Sequence, residues 1–268
     1  MKFNFYLATI GYEKASITEL EESFITLNKI AVTDAKPEDS FLKSKTFFEI
    51  NTSEGSLSEI LFDQNSKFNI ELKRVIFKML GKINEFEEDF ETLNEIKRHY
   101  PDEHNAFWGA HFEVTDERHI NSEEKYHSFK KQKIQNITKG IEIWERRSFL
   151  FKRIELCPEI ETQLKSVGSI KQILRTLLLL DDYCVTSWNN GRFNYNNARI
   201  FNSALDISTE SPSTNNNSKK KQERVFKLPN GKTKCFDLHI KPKKNLRIYI
   251  FPDNLKIYIG YIGSHLPI

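Results

Sequence analysis

The sequence predicts an α+β protein: mostly helical N-terminal and central regions followed by a C-terminal antiparallel β-meander. Three observations lead there. Residues 224–268 hold short runs rich in β-branched and aromatic side chains, separated by Pro229-Asn-Gly, Pro242-Lys-Lys-Asn and Pro252-Asp-Asn turns, the pattern of hairpins. Upstream, apolar residues recur at three- and four-residue steps, the period of amphipathic helices. Between the two lies a polar stretch, 208–223, without one aliphatic or aromatic side chain.

In chain order, an acidic α+β region spans 1–115. It opens with a strand over Phe3 to Ile10 and a helix over Ser16 to Asn28. A long helical period starts near Asn69 and runs through Leu72, Ile76, Leu80, Ile83, Phe86, Phe90 and Leu93. Gly81 marks a kink or boundary in it. Its outer face carries Glu85, Glu87, Glu88, Asp89, Glu91 and Glu95.

A short strand, Ala110 to Thr115, leads into a helical central region, 116–207. Its first helix covers Ser122 to Arg147 and puts Ile134, Ile137, Ile141 and Trp144 on one face. Its second covers Ser169 to Trp188, with Ser169 as N-cap. Ile170, Ile173, Leu174, Leu177, Leu178 and Leu180 make that helix apolar on most sides, as in a buried element. Residues 208–223 read as a flexible polar loop. Residues 224–268 then form a basic antiparallel sheet packed on the central helices.

At 268 residues, 29% of them charged, core size is not limiting. The longest aliphatic run, Leu177 to Leu180, is far short of the about 20 residues a membrane helix needs. The expectation is a cytoplasmic protein without a secretory leader and without membrane partners. Three widely spaced cysteines, Cys157, Cys184 and Cys235, argue against a disulfide framework. The net charge of +3 hides an asymmetry: from Lys219 onward twelve Lys/Arg face three Asp/Glu, and the preceding residues sum to −6. A basic C-terminal segment on an acidic body points to a polyanionic partner, nucleic acid with RNA favoured.

Strand parity then selects a site. Along Cys235 to Lys241, Phe236, Leu238 and Ile240 share one face while Asp237, His239 and Lys241 share the other. In the next strand Leu246, Ile248 and Ile250 oppose Arg247 and Tyr249. His239, Lys241, Arg247 and Tyr249 therefore fall on one outer face, and His265 follows the last strand. Gly260 and Gly263 leave the parity of His265 open. Cleaving RNA without a metal needs a base for the 2′-OH, an acid for the leaving oxygen and cations for the phosphorane. Two histidines can supply the first two roles. Lys241 and Arg247 can supply the third, and Tyr249 can stack on a base or donate a proton. Lys219, Lys220, Lys221, Lys243 and Lys244 are the expected nucleic-acid-binding cations.

Helices followed by a basic meander, with Arg247 in the Leu246-Arg-Ile-Tyr-Ile strand and a basic residue after the last strand, resemble RelE-type ribonuclease toxins and the barnase-like and colicin-type enzymes. The likeness covers roughly residues 160–268. It implies RNA cleavage by arginine, lysine, tyrosine or histidine side chains, with Arg247 and Tyr249 as the nearest counterparts. The pattern Gly260-Tyr-Ile-Gly-Ser-His-Leu-Pro also resembles uncharacterised bacterial proteins of phage-defence neighbourhoods, which implies a toxin-like antiviral effector with a protein partner encoded nearby.

Other constellations are weaker. His99, His104, His111, His119 and His127 cluster in sequence but lack the close ligand pair of zinc motifs. Asp181-Asp182 with Asp237 and Lys241 imitates a magnesium-dependent restriction-type site, yet His239 stands where that motif has an acid. No serine-hydrolase elbow, phosphate loop or dinucleotide fingerprint is present. The expectation is therefore no metal and no cofactor. The alternatives are a non-catalytic nucleic-acid- or protein-binding subunit of a defence complex, or a magnesium-dependent restriction-type nuclease.

Overall fold

The computed structural model describes residues 1–7, 9, 11–34, 39–86, 93–99, 101–108 and 117–266. The chain is mixed α and β, and it divides into two compact units, Met1–Lys133 and Ile134–Ile268.

In the first unit β1 (Asn4–Leu7) is followed by α1 (Ile17–Lys29) and β2 (Ser40–Ser44). The short pair β3 (Asn51–Thr52) and β4 (Gly55–Ser56) precedes α2 (Leu57–Phe62) and α3 (Ile70–Leu80). Then come β5 (Asn84–Phe86), α4 (Leu93–His99), β6 (Asn105–Trp108), β7 (His119–Ile120) and α5 (Glu123–Gln135). The main sheet has the order β5-β2-β1-β6-β7, and every pairing in it is parallel. The region is thus a wound parallel sheet rather than mostly helical. Its strands are two to five residues long, too short to register against the strong helical periods around them. Strand β6 is buried along its whole length, as parallel strands covered on both faces are.

Local signals set the helix ends. Ser16 and Glu19 form a capping box at α1, and Asn69 accepts from the amides of Glu71 and Leu72 at α3. The long period beginning at Asn69 does not continue as one helix. It ends at Gly81, and Glu85 lies in β5. The acidic positions Glu87, Glu88, Asp89 and Glu91, with Phe90, lie outside the described residues, as does the expected strand Ala110 to Thr115.

The second unit contains α6 (Gly140–Glu145), α7 (Arg147–Leu150), β8 (Ile154–Leu156), α8 (Ile160–Ser166), α9 (Ile170–Thr186) and α10 (Tyr195–Phe201). The expected helix from Ser122 to Arg147 is broken into α5, α6 and α7. Gly140, the first residue of α6, packs tightly on α8: a Cβ there would lie 2.1 Å from the carbonyl oxygen of Leu164, so no larger residue fits. Helix α9 occupies nearly its expected span. Ser169 precedes it in the left-handed region at φ 62, and its side chain makes no cap hydrogen bond.

Next come β9 (Ile207–Thr209), α11 (Pro212–Asn215), α12 (Ser218–Gln222), β10 (Val225–Lys227), β11 (Thr233–Cys235), β12 (Leu238–Lys243), β13 (Leu246–Asp253) and β14 (Lys256–Gly263). The stretch 208–223, expected as a flexible loop, holds a strand and two short helices instead. It is ordered without apolar side chains because Ser211 and Asn217 cap the helices and Pro212 starts the first of them. Thr214 and Glu210 are buried besides.

The second sheet has the order β8-β14-β13-β12-β9, antiparallel except for the β14–β8 edge. Ile207, Ile240, Ile248 and Ile262 line up across four strands. They join Leu164, Ile173, Leu177 and Leu180 of α8 and α9 in one core. The opposite face carries the row Ser208, His239, Tyr249 and Tyr261, so the parity read from sequence holds for Ile240, Ile248, His239 and Tyr249. Phe236, expected beside Ile240, instead lies between β11 and β12 and packs against Phe226 and Phe251.

Candidate functional site

That polar row was expected to face outward, but it is roofed over. Phe226 of the β10–β11 hairpin stacks on Tyr261 at 6.0 Å and tilts against Tyr249 at 6.2 Å. Tyr249 is 0% exposed and His239 6%. Tyr249 therefore cannot stack on a base; a buried phenol needs an internal partner.

The partner is Glu210, which precedes α11. Its backbone N–H donates to the carbonyl of Asp237, extending the β9–β12 edge. Its carboxylate turns inward and accepts from the Tyr249 hydroxyl at 2.6 Å. The same Oε1 lies 3.1 Å from Arg224 Nε and 3.6 Å from His239 Nδ1. Arg224, 1% exposed, also donates through Nη1 to the carbonyl of Lys220. Burial opposes ionisation of Glu210, yet hydrogen bonds from Tyr249 and Arg224, with the charges of Arg224 and His239, hold its pKa below the usual carboxylate value. Burial first, then the hydrogen bond and charge of Glu210, push the Tyr249 phenol well up. Neither Glu210 nor Arg224 was singled out in the sequence. Glu210 sat in the polar stretch read as a loop, and Arg224 opened the meander without a role.

His239 lies where this network meets the sheet edge. Its Nε2 is 3.3 Å from Ser208 Oγ on β9, an edge strand. Burial lowers its pKa to about 4. Glu210 opposes that shift, while Lys241, Arg247 and His265 reinforce it. The imidazole is thus neutral at pH 7, with three further basic side chains in electrostatic range. His265 is exposed, with Nδ1 2.5 Å from the Leu266 carbonyl oxygen. Arg247 is half-buried, and its Nη1 donates to the carbonyls of Lys244 and Leu246, each at 3.0 Å. Its Nε is buried and has no hydrogen-bond acceptor among the described residues.

Register thus places His239 beside Tyr249 and Arg247 beside Gly263, two residues before His265, and Tyr249 is withdrawn into the interior. Of the expected binding lysines, Lys219, Lys221, Lys243 and Lys244 are exposed and Lys220 is half-buried. The Lys243 ammonium reaches Ser169 Oγ.

The competing constellations do not assemble. Asp181 accepts the backbone N–H groups of Lys152, Arg153 and Ile154 at 3.0, 2.7 and 3.1 Å, so its carboxylate is engaged in closing a loop. His111 lies outside the described residues. His104 pairs with Asp102 at 2.8 Å, and His119 is buried in β7. Among the described residues no three His, Cys, Asp or Glu side chains are grouped to hold a metal ion. In the first unit the strand order reverses beside β1, where wound sheets commonly open a ligand crevice. The start of α1, however, is closed by its own Glu19 carboxylate. No helix among the described residues is long and apolar enough to cross a membrane. Comparison with family models, curated proteins and solved structures finds no match to this chain.

Proposed function

We propose that the second unit binds nucleic acid, RNA favoured, through the basic edge around His239 and cleaves the phosphodiester backbone without a metal, as a toxin-like effector would. What carries this reading is strand register: His239 pairs with Tyr249, two residues from Arg247, and Arg247 pairs with Gly263, two residues before His265, while burial keeps the imidazole neutral. Arg247, half-buried on β13, is the fork-shaped cation on this face that suits a phosphate. Neutral His239 supplies the base and His265, exposed at the strand end, the acid. Lys241 and Arg247 hold the phosphate and stabilise its developing charge. A bound phosphate would also offset the cations that depress His239, making it a stronger base when substrate is present.

The test is cleavage of a labelled RNA by the full chain in EDTA, with His265→Ala expected to slow it by roughly 10²–10⁴-fold. Lys241→Ala and Arg247→Ala should each weaken binding and flatten its salt dependence by about one counterion. Salt-sensitive binding with no cleavage in EDTA or magnesium would leave the binding-module reading, which the burial of His239 favours. Cleavage that requires magnesium and ignores His265 would end the metal-free mechanism.

A further inference from the structure

The hydrogen bonding around His239 leaves one question for the cleavage chemistry: which hydroxyl gives up its proton. The ring has two nitrogens. Nδ1 faces Glu210 Oε1 at 3.6 Å, inside the buried network. Nε2 faces Ser208 Oγ at 3.3 Å. Ser208 is half-buried on β9, which is an edge of its sheet among the described residues. A base whose outward nitrogen already meets a serine hydroxyl is placed to activate that serine.

We propose that Ser208 is a nucleophile, activated by His239 as base and oriented through Glu210, and that it attacks phosphodiesters to form a covalent phosphoserine intermediate. This rests on the reading of the site as one for metal-free cleavage and names its nucleophile. Three side chains from two paired strands make the arrangement: Ser208 and Glu210 are two apart on β9 and its continuation, so they lie on one face, and register puts His239 directly opposite Ser208. It has the parts of the serine–histidine–carboxylate logic, with Nδ1 unpartnered at rest and Glu210 Oε1, which accepts from Tyr249, 3.6 Å away. Resting distances of this kind are commonly loose and tighten with substrate bound. Lys241, Arg247 and His265 set the substrate class, because a basic rim favours an anionic phosphodiester over a neutral ester.

The step balances. The Ser208 Oγ proton passes to His239 Nε2 as the Oγ–P bond forms. The P–O bond to the leaving nucleoside breaks, and that oxygen takes a proton from His265. Water then adds to phosphorus, giving a proton to His265, and the P–Oγ bond breaks as the His239 imidazolium returns its proton to Ser208. No 2′-OH takes part. Glu210 touches no reacting atom and is a positioning residue.

The experiment treats the native full-length chain with a fluorophosphonate, maps any adduct by peptide mass, and compares cleavage of RNA with that of an all-2′-deoxy oligonucleotide in EDTA. An adduct on Ser208 and cleavage of both strands is the expected result. Ser208→Ala should then lose the adduct and slow cleavage by roughly 10²–10⁴-fold with its thermal midpoint unchanged. Glu210→Gln should shift the pH profile of adduct formation, which a purely structural role would not move. Adduct mapping on the native chain does not depend on any variant folding. RNA cleavage confined to ribose, unlabelled Ser208 and a fully active Ser208→Ala would overturn the serine nucleophile and leave the ribonuclease reading standing. Absence of both adduct and cleavage would overturn the two together.

Discussion

The Tyr249 hydroxyl donates to Glu210 Oε1 at 2.6 Å, and that carboxylate is the common acceptor of a buried network that includes Arg224 and approaches His239. Removing the donor and removing the acceptor should therefore cost differently. Tyr249→Phe deletes one charge-assisted hydrogen bond and should destabilise the fold by about 1.5–3 kcal/mol. Glu210→Ala strands the buried Arg224 guanidinium and should cost about 3–5 kcal/mol. Urea unfolding of the two variants checks the order; equal losses would mean that Glu210 is not the hub.

Acid should loosen this network in two stages. Burial depresses the His239 pKa to about 4 from an ordinary value of 6.5, so between those values the unfolded chain binds the proton more readily than the folded one. Stability then rises with pH across that window, is fully present above about 6.5, and is lost as pH falls toward 4, each pKa unit being worth about 1.4 kcal/mol. Glu210, held below its usual value, contributes above its ordinary pKa and loses that contribution at lower pH still. Chemical-shift titration of the His239 ring, beside urea midpoints at pH 7, 5 and 4, measures both. A ring titrating near 6.5 would contradict the burial argument.

The meander and its parity were legible because strands β12 and β13 alternate, isoleucine against polar, and because the turns after them carry Asn245 and Asn254, while Pro242 and Pro252, expected in those turns, lie inside the strands. Helix α9 was legible from its length of 17 residues and its apolar spacing. The parallel sheet of the first unit was not, since strands as short as His119–Ile120 leave no period to read. The site was half legible. Parity grouped His239, Lys241, Arg247 and Tyr249, but it cannot say what covers a face. The cover came from residues 208–226, where Ser211-Pro212 and Asn217-Ser218 are helix-start signals. Read that way, the stretch is not a loop, and Ser208 and Glu210 become a short strand edge.

Asp181 shows how a suspected metal ligand can be a loop clamp. Its carboxylate accepts the amides of Lys152, Arg153 and Ile154 as the chain enters β8. Asp181→Asn keeps the size but removes the charge and turns one acceptor into a donor that faces N–H groups. A loss of about 1–3 kcal/mol is expected. Hydrogen exchange should accelerate most at Lys152 to Ile154. Unchanged protection there, or a stability that depends on added magnesium, would restore the metal reading.

Gly260 is the point where the roof meets the sheet most tightly. In the β13–β14 pairing Tyr249 opposes Tyr261 and Ile250 opposes Ile259, which leaves Gly260 as the extra residue of a bulge. A Cβ at that position would lie 2.6 Å from Phe226 Cδ2 and 2.7 Å from Phe236 Cε1, both ring atoms of aromatic side chains at the hairpin. Gly260→Ala should accordingly destabilise by about 1–3 kcal/mol, the usual cost of overpacking. Phe226→Leu removes one of the two obstructing rings. The double variant should therefore lose less than the sum of the single changes, with a coupling of about 0.5–3 kcal/mol in a thermodynamic cycle. Because Phe226 also packs on Tyr249 and Tyr261, lifting it should expose those rings. A blunted tyrosine fluorescence shift on unfolding would report the opening, and strict additivity would place the hairpin away from Gly260.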